Sequence, residues 1–180
     1  MSVPTLEGLR IRLRPLREDD AEALFVLHGD PQVMRYWSRT AWTDRAESIS
    51  HLARMVQAER DGDIPWAIAR REDDALIGSL SLFQIVPEHA RGMFGYALQS
   101  ACWGSGFALE AARLGLAHAF STLGLERIEA DIDPANQPSR RLAERLGFKQ
   151  EGLLRHRWKV DDVWSDTVWY GLLREEFSNV

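Results

Sequence analysis

Between Trp103 and Glu110 the chain reads Trp-Gly-Ser-Gly-Phe-Ala-Leu-Glu, and no other stretch restricts the fold so tightly. An extended apolar segment, Met93 to Leu98, precedes it, and a helical pattern follows it as far as Leu123. A strand, a glycine-bearing turn and a helix N-terminus in that order make a seat for a phosphate group. Gly104 and Gly106 accept backbone dihedrals that other residues resist, so the main chain can come close to a ligand. The first-turn N–H groups have no helical partners and carry the positive end of the helix dipole, which suits an anion. No Lys follows the second glycine, so this is not a P-loop, and Leu109 occupies the third glycine position of a dinucleotide fingerprint. A plain strand-to-helix connection without a ligand is the alternative, and the turn by itself does not separate the two.

The remaining pattern places the turn inside an α/β chain. Leu9 to Arg14 alternates apolar and basic residues, as a half-buried strand does. Asp19 and Asp20 start a short helix with Ala21, Leu24, Phe25 and His28 on one face, and a loop carries Pro31, Trp37 and Trp42. Asp44-x-x-Glu47 has capping-box spacing, with Ile49, Leu52, Ala53 and Val56 at helical intervals behind it. Strands are expected at Trp66–Arg70, Leu76–Phe83 and Gly92–Leu98. The helix after the turn carries an apolar stripe of Leu109, Ala112, Leu116, Ala119, Phe120 and Leu123, and Gly124 stops it. A strand at Arg127–Ile132 leads to a helix capped by Asn136, with Pro138 in its first turn and Leu142, Ala143 and Leu146 facing inward. Phe148–Leu153, Arg155–Val160 and Val163–Leu172 read as three closing strands. No repeat or linker divides the sequence, so residues 1–180 are expected to form a single domain.

Bulk properties narrow the partners. A net charge of −5 offers no basic footprint for nucleic acid or an anionic membrane, and no apolar run reaches the ~20 residues of a membrane span. The single cysteine, Cys102, suits a reducing compartment, so a cytoplasmic protein is expected. Five histidines (His28, His51, His89, His118, His156) lack metal-ligand spacing, and no metal site is expected.

Three segments together resemble the GNAT superfamily of acyl-CoA-dependent N-acyltransferases, and within it the Rim-type branch that acetylates ribosomal-protein N-termini. Tyr96-Ala97-Leu98 through Trp103-Gly104-Ser105-Gly106-Phe107-Ala108-Leu109-Glu110-Ala111 is similar to that branch's Trp-Gly-x-Gly-Tyr-Ala-Thr-Glu-Ala. Asn136-Gln137-Pro138-Ser139 with Leu146-Gly147-Phe148 is similar to its Asn-x-x-Ser … Leu-Gly-Phe. Glu151-Gly152 and Trp164-Ser165-Asp166 complete the likeness, which runs from about Leu9 to Leu173. The resemblance implies a mixed, mostly antiparallel sheet flanked by helices, with a splayed strand pair admitting acetyl-CoA. It implies cofactor contacts at Leu98, Trp103, Gly104, Ser105, Gly106, Phe107, Ala108, Asn136 and Ser139. Two positions depart from the wider superfamily: Ala101 stands where Arg or Gln is common, and Ala143 where many relatives carry a tyrosine that protonates the departing thiolate. The branch uses the serine at the Ser139 position for that role.

Direct acyl transfer from a thioester needs a neutral amine, a stabilised oxyanion, an accommodated thiolate and reactants held at attack distance. Ser139 is the candidate donor to the sulfur; its alternative is a first-turn serine bonding its own backbone. Asp131, five residues before Asn136, is the candidate base; its alternative is a solvent-facing strand residue. Asn136 either meets pantetheine or caps its helix. Glu110 suits the helix dipole. Cys102 reads as a small buried residue, and Trp158 and Trp169 as core, while Trp37, Trp42 and Trp164 are candidates for a cleft wall. The leading acceptor is a protein or peptide N-terminus. A small-molecule amine acceptor (polyamine, amino acid or antibiotic) and a non-catalytic acyl-CoA-binding domain are the alternatives. A homodimer is compatible with the sequence.

Overall fold

The computed structural model describes residues 3–178. Its eight strands are β1 (Leu6–Glu7), β2 (Ile11–Pro15), β3 (Ile64–Arg70), β4 (Leu76–Val86), β5 (Arg91–Leu98), β6 (Arg127–Ile132), β7 (Lys149–Val160) and β8 (Val163–Leu173). They form one sheet in the order β1-β2-β3-β4-β5-β6-β8-β7. Every neighbouring pair is antiparallel except β5 and β6. The helices are α1 (Ala21–Gly29), α2 (Pro31–Met34), α3 (Ala46–Arg60), α4 (Phe107–Ser121) and α5 (Gln137–Arg145). This is the α/β GNAT architecture. No helix among the described residues is long and apolar enough to cross a membrane.

Successive side chains of a strand point to opposite faces, and β3 shows what that does here. Trp66 and Ile68 enter one core cluster with Leu80, Leu116 and Phe120, while Ala67 enters another with Leu24, Leu27 and Trp42. Helix α4 therefore covers one face of the sheet and α1 covers the other. The stripe predicted on α4 is buried at Ala112, Leu116, Ala119 and Phe120, and Gly115 lets the helix settle on Leu80. Full burial of one such leucine contributes about 1.5–3 kcal/mol. The helix ends where Gly124 takes φ +70° and the Leu123 N–H returns to the His118 carbonyl.

Helix α3 departs from the expected arrangement. Ile49 and Val56 are exposed, whereas Ser48 is buried and His51, Leu52 and Met55 are half-buried. The inward face is thus set by the polar and aromatic residues that it meets, not by the most apolar side chains. The segment after α1, expected as loop, contains the one-turn α2, with the Asp30 carboxylate accepting the Gln32 N–H at 2.8 Å. The two strands expected before Val160 are one, β7. Its register on β8 shifts between Leu154 and Trp158, where His156 has φ +51° and donates its N–H to Asp166 Oδ1 at 2.9 Å. The bulge redirects Trp158, as described below.

The glycine turn is bound to the far end of the sheet through a carboxylate. Glu110 Oε1 accepts the Arg10 and Ile11 N–H groups at 2.7 and 3.3 Å, and Oε2 accepts Arg10 Nε at 3.0 Å. Burial pushes this carboxyl up, but the N–H donors and the Arg10 guanidinium outweigh it and hold it below its ordinary value. Such a group stabilises the fold above the ordinary carboxylate range and loses its contribution as pH falls through the depressed folded value. Replacing Glu110 by Ala is expected to lower stability by about 1–3 kcal/mol at neutral pH. Urea unfolding measures this, and the gap between parent and variant is expected to narrow on acidification.

Candidate functional site

The parallel pairing of β5 with β6 is three residues long: Arg91↔Arg127, Gly92↔Ile128 and Met93↔Glu129. Beyond Met93, β5 stays on β4 and β6 stays on β8. The two strands diverge into a wedge. The Gln99 N–H donates to the Ile77 carbonyl at 2.8 Å, and an antiparallel ladder alternates the side to which peptide groups point. The N–H and C=O of Tyr96 and Leu98 are therefore directed away from β4, toward the open side. The Leu98 carbonyl is met by the Trp103 indole N–H at 2.9 Å, which closes the short segment between strand and turn. The Leu98 N–H is left free to meet a polar group.

The turn itself has the predicted conformation. Gly104 has φ +75° and Gly106 φ +82°, both in the left-handed region. A Cβ on Gly104 would meet nothing within 4 Å, so the backbone there is open to an approaching group. The first helical bond runs from the Glu110 N–H to the Gly106 carbonyl at 3.1 Å. The N–H groups of Ser105, Gly106, Phe107, Ala108 and Leu109 have no acceptor among the described residues. Arg10, which the sequence pattern did not single out, fixes the turn from outside. Its Nη1 donates to the Ser105 carbonyl at 2.8 Å and its guanidinium lies 4.8 Å from the Phe107 ring centre. These free donors and the open backbone fit a diphosphate.

A cleft of about 510 Å³ occupies the wedge and extends under α3. Ser139, Asn136 and Asp131 all line it, whereas Trp103, Gly104, Ser105, Gly106, Phe107 and Ala108 lie outside its walls, at the start of α4. Asn136 caps α5, its Oδ1 accepting the Ser139 N–H at 3.2 Å. The Ser139 hydroxyl does not bond its own backbone: its partner is the Tyr96 hydroxyl, 3.1 Å away. Burial raises the Tyr96 phenol above its ordinary value, with the serine bond acting in the opposite direction, so the phenol keeps its proton at neutral pH. The tyrosine that meets Ser139 thus comes from β5, while Ala143, where the motif arithmetic found no tyrosine, is a small buried wall.

Asp131 is not the solvent-facing residue that the alternative reading expected. It lines the cleft, and its Oδ2 accepts the Trp158 indole N–H at 3.2 Å. Burial raises its carboxyl above the ordinary value, opposed by the Trp158 bond and by Arg157. Trp158, expected in the core, is 37% exposed and forms part of the cleft wall. The bulge in β7 is the reason, since it breaks the alternation that would have placed the indole elsewhere. Trp37 lines the cleft too, Trp42 is buried behind it, and Trp164 stacks on His156 on the hairpin. Glu151, in the third motif, forms a bidentate pair with Arg127 at 2.9 and 2.5 Å and stays out of the cleft. Cys102 is half-buried against the main core.

Comparison with known proteins agrees with this geometry. The family model described as "Acetyltransferase (GNAT) domain" matches residues 10–149. The chain is 34% identical over 180 residues to an uncharacterized N-acetyltransferase, p20, of Bacillus licheniformis, covering 97% of this chain and 98% of that one. It is 24% identical over 158 residues to the spermidine N(1)-acetyltransferase of Escherichia coli strain K12, covering 88% and 83% respectively. Among solved structures, RimJ of Mycobacterium smegmatis in complex with CoA-disulfide superposes with a TM-score of 0.87 at 28% identity, covering 97% of this chain and 89% of that one. The chain belongs to the GNAT family of acetyltransferases, and its enzyme class is that of an acyl-CoA-dependent N-acetyltransferase.

Proposed function

We propose that this chain transfers acetyl from acetyl-CoA to the N-terminal amine of a protein or peptide by direct attack, as a Rim-type enzyme. The observation that carries the reading is the cleft in the β5–β6 wedge, where the Ser139 hydroxyl, held by Tyr96, shares one space with the partly desolvated carboxylate of Asp131. RimJ of Mycobacterium smegmatis, similar over nearly the whole chain, supports the branch.

Acetyl-CoA supplies the activated acyl group; the chain supplies its placement and the proton traffic. The N–H groups at Gly104, Ser105, Gly106, Phe107 and Ala108 hold the diphosphate, and the peptide groups of β5 that face the wedge meet the pantetheine amides. Asp131, directly or through one water, takes the proton of the incoming ammonium. A protein N-terminus has a pKa near ~7.7–8.0 against ~10.4 for Lys, so a weak base suffices. The amine nitrogen then forms its bond to the carbonyl carbon while the bond to sulfur breaks, and the proton that nitrogen sheds in becoming an amide passes to Ser139 Oγ as the serine gives its own proton to the thiolate. The Leu98 N–H stabilises charge on the carbonyl oxygen. Tyr96 donates to Ser139 Oγ, which leaves the serine proton for the departing sulfur. Asn136 positions the serine through the cap.

A second reading has its own support. Among the described residues, Asp63, Asp131, Asp133 and Asp166 line the cleft against the single guanidinium of Arg157, a balance that favours a polyamine acceptor. The likeness to the Escherichia coli spermidine enzyme points the same way. A mass-spectrometric panel of N-terminal peptides, polyamines and amino acids with acetyl-CoA decides between the two. Acetylated peptides without acetylated polyamines are expected; the reverse would overturn the leading reading.

Ser139→Ala and Tyr96→Phe are expected to lower kcat by about 10–100-fold and by a smaller factor, respectively, with little change in the KM for acetyl-CoA. In the pH profile of kcat/KM, the acid limb is expected above the ordinary carboxylate range, because the base must lose a proton that burial holds on. Asp131→Asn should remove that limb along with most activity. Gly106→Trp forces a bulky residue into a left-handed turn with Arg10 Nη2 only 3.2 Å from its Cβ. Calorimetry is expected to show acetyl-CoA binding weakened by more than about tenfold, and an unchanged affinity would remove the turn from the binding site.

A further inference from the structure

One end of the cleft contains a polar group that the chain itself leaves unanswered. His28, near the end of α1, is 1% exposed and lines the cleft, and neither Nδ1 nor Nε2 has a hydrogen-bond partner among the described residues. A buried polar atom without a partner is costly and uncommon in folded proteins. The ring is fixed by its neighbours. Trp42 lies 4.6 Å away, His51 5.3 Å and Trp37 5.6 Å between ring centres, and the His28 carbonyl accepts the Trp42 N–H at 2.9 Å. Arg39 packs on the same aromatic group, its guanidinium 4.7 Å from the Trp42 ring centre and 5.7 Å from that of Trp37. Its Nη1 is also buried without a partner. It makes no ion pair among the described residues; Glu47, the carboxylate that acts on it, is engaged with the Thr43 and Asp44 N–H groups at the start of α3.

We infer that this end of the cleft, bounded by α1, α3 and Trp37, recognises a carboxylate on the acceptor, with His28 as hydrogen-bond donor and Arg39 as the compensating charge. The inference rests on the reading of the chain as a peptide N-terminal acetyltransferase and names the kind of N-terminus that it takes: one followed by an acidic residue. Burial first, and Arg39 second, lower His28 to about 3 and His51 to about 4, so both rings are neutral at physiological pH. A neutral imidazole offers one N–H donor and one acceptor nitrogen, and a carboxylate satisfies the donor. The fixed charge that acts on both rings is Arg39, joined at His51 by Arg54, and it repels an ammonium group and attracts a carboxylate. Asp63, on the α3 side, is raised by burial and already accepts the Gln84 N–H at 2.9 Å. Asp131, Asp133 and Asp166 stand with Arg157 on the β6–β8 side, where the amine is attacked, and three carboxylates against one guanidinium leave that side acidic. The cleft is thus polarised along its length.

Tetrapeptide amides Ala-Xaa-Ala-Ala with Asp, Leu or Lys in second place, each assayed with saturating acetyl-CoA, test this. The Asp peptide is expected to exceed the Lys peptide in kcat/KM by about tenfold or more, the yield of one charge-assisted hydrogen bond, with Leu between them. His28→Phe and the half-exposed Arg39→Gln are each expected to reduce that advantage to within about threefold, by raising the KM of the Asp peptide. The KM for acetyl-CoA should not move, and thermal unfolding of Arg39→Gln should stay near that of the parent. A Lys peptide accepted as well as the Asp peptide, or an Asp preference that survives Arg39→Gln, would overturn the inference and leave N-terminal acetylation standing. Acetylation of free polyamines with none of the peptides would remove both.

Discussion

The molecule depends on a ladder that stops early. Three residue pairs join β5 to β6, and after Met93↔Glu129 the two halves of the sheet separate. A continuous parallel pair would consume the peptide groups of Tyr96 and Leu98 and bury them between helices, as parallel sheets are buried. Divergence leaves the Tyr96 peptide groups and the Leu98 N–H unpaired, which is tolerable only where a ligand or water meets them, while the Leu98 carbonyl is taken by the Trp103 indole. It also opens the space in which Ser139, Tyr96 and Asp131 come together. The wedge is stable because each strand keeps a full antiparallel partner on its other side, β4 for β5 and β8 for β6.

The second constraint is the anchoring of the glycine turn. Left-handed backbone at Gly104 and Gly106 leaves five consecutive N–H groups without acceptors, and a turn with so few internal bonds would not hold one shape unaided. Arg10 and Glu110 supply the missing restraint, tying the start of α4 to the N-terminal side of the sheet through one carboxylate and one guanidinium. Gly8 belongs to the same arrangement, since a Cβ there would lie 2.7 Å from Glu110 Oε1. An enclosed carboxylate with three N–H donors is preorganised before any ligand arrives.

Local signals carried much of this. The turn, the Asn136 cap, the α4 stripe and the strand-to-helix order were legible because each depends on residues within one or two turns of each other. What sequence could not show was long-range. Tyr96 and Ser139 are 43 positions apart, and Arg10 and Glu110 100 apart; no local period announces either pair. Nor does periodicity reveal a bulge, so Trp158 read as core although its indole reaches Asp131. On α3 the apolar spacing of Ile49 and Val56 pointed outward, because the surface that this helix covers is lined by His28 and Trp42, for which His51 is a better neighbour than an aliphatic chain. Tertiary environment overrode the intrinsic pattern there.

The β7–β8 hairpin has a consequence for how such a protein can diversify. Its tip, Asp161 and Asp162, is exposed and already in left-handed backbone, so it tolerates changes of length and sequence that the sheet would not. Through the bulge and Trp158, however, that peripheral arm reaches the carboxylate at the centre of the molecule. The glycine turn, by contrast, shares no residue with the arm. Under the proposed reading, drift in an outlying ribbon retunes acceptor choice and proton affinity, while the turn proposed to grip the donor stays untouched.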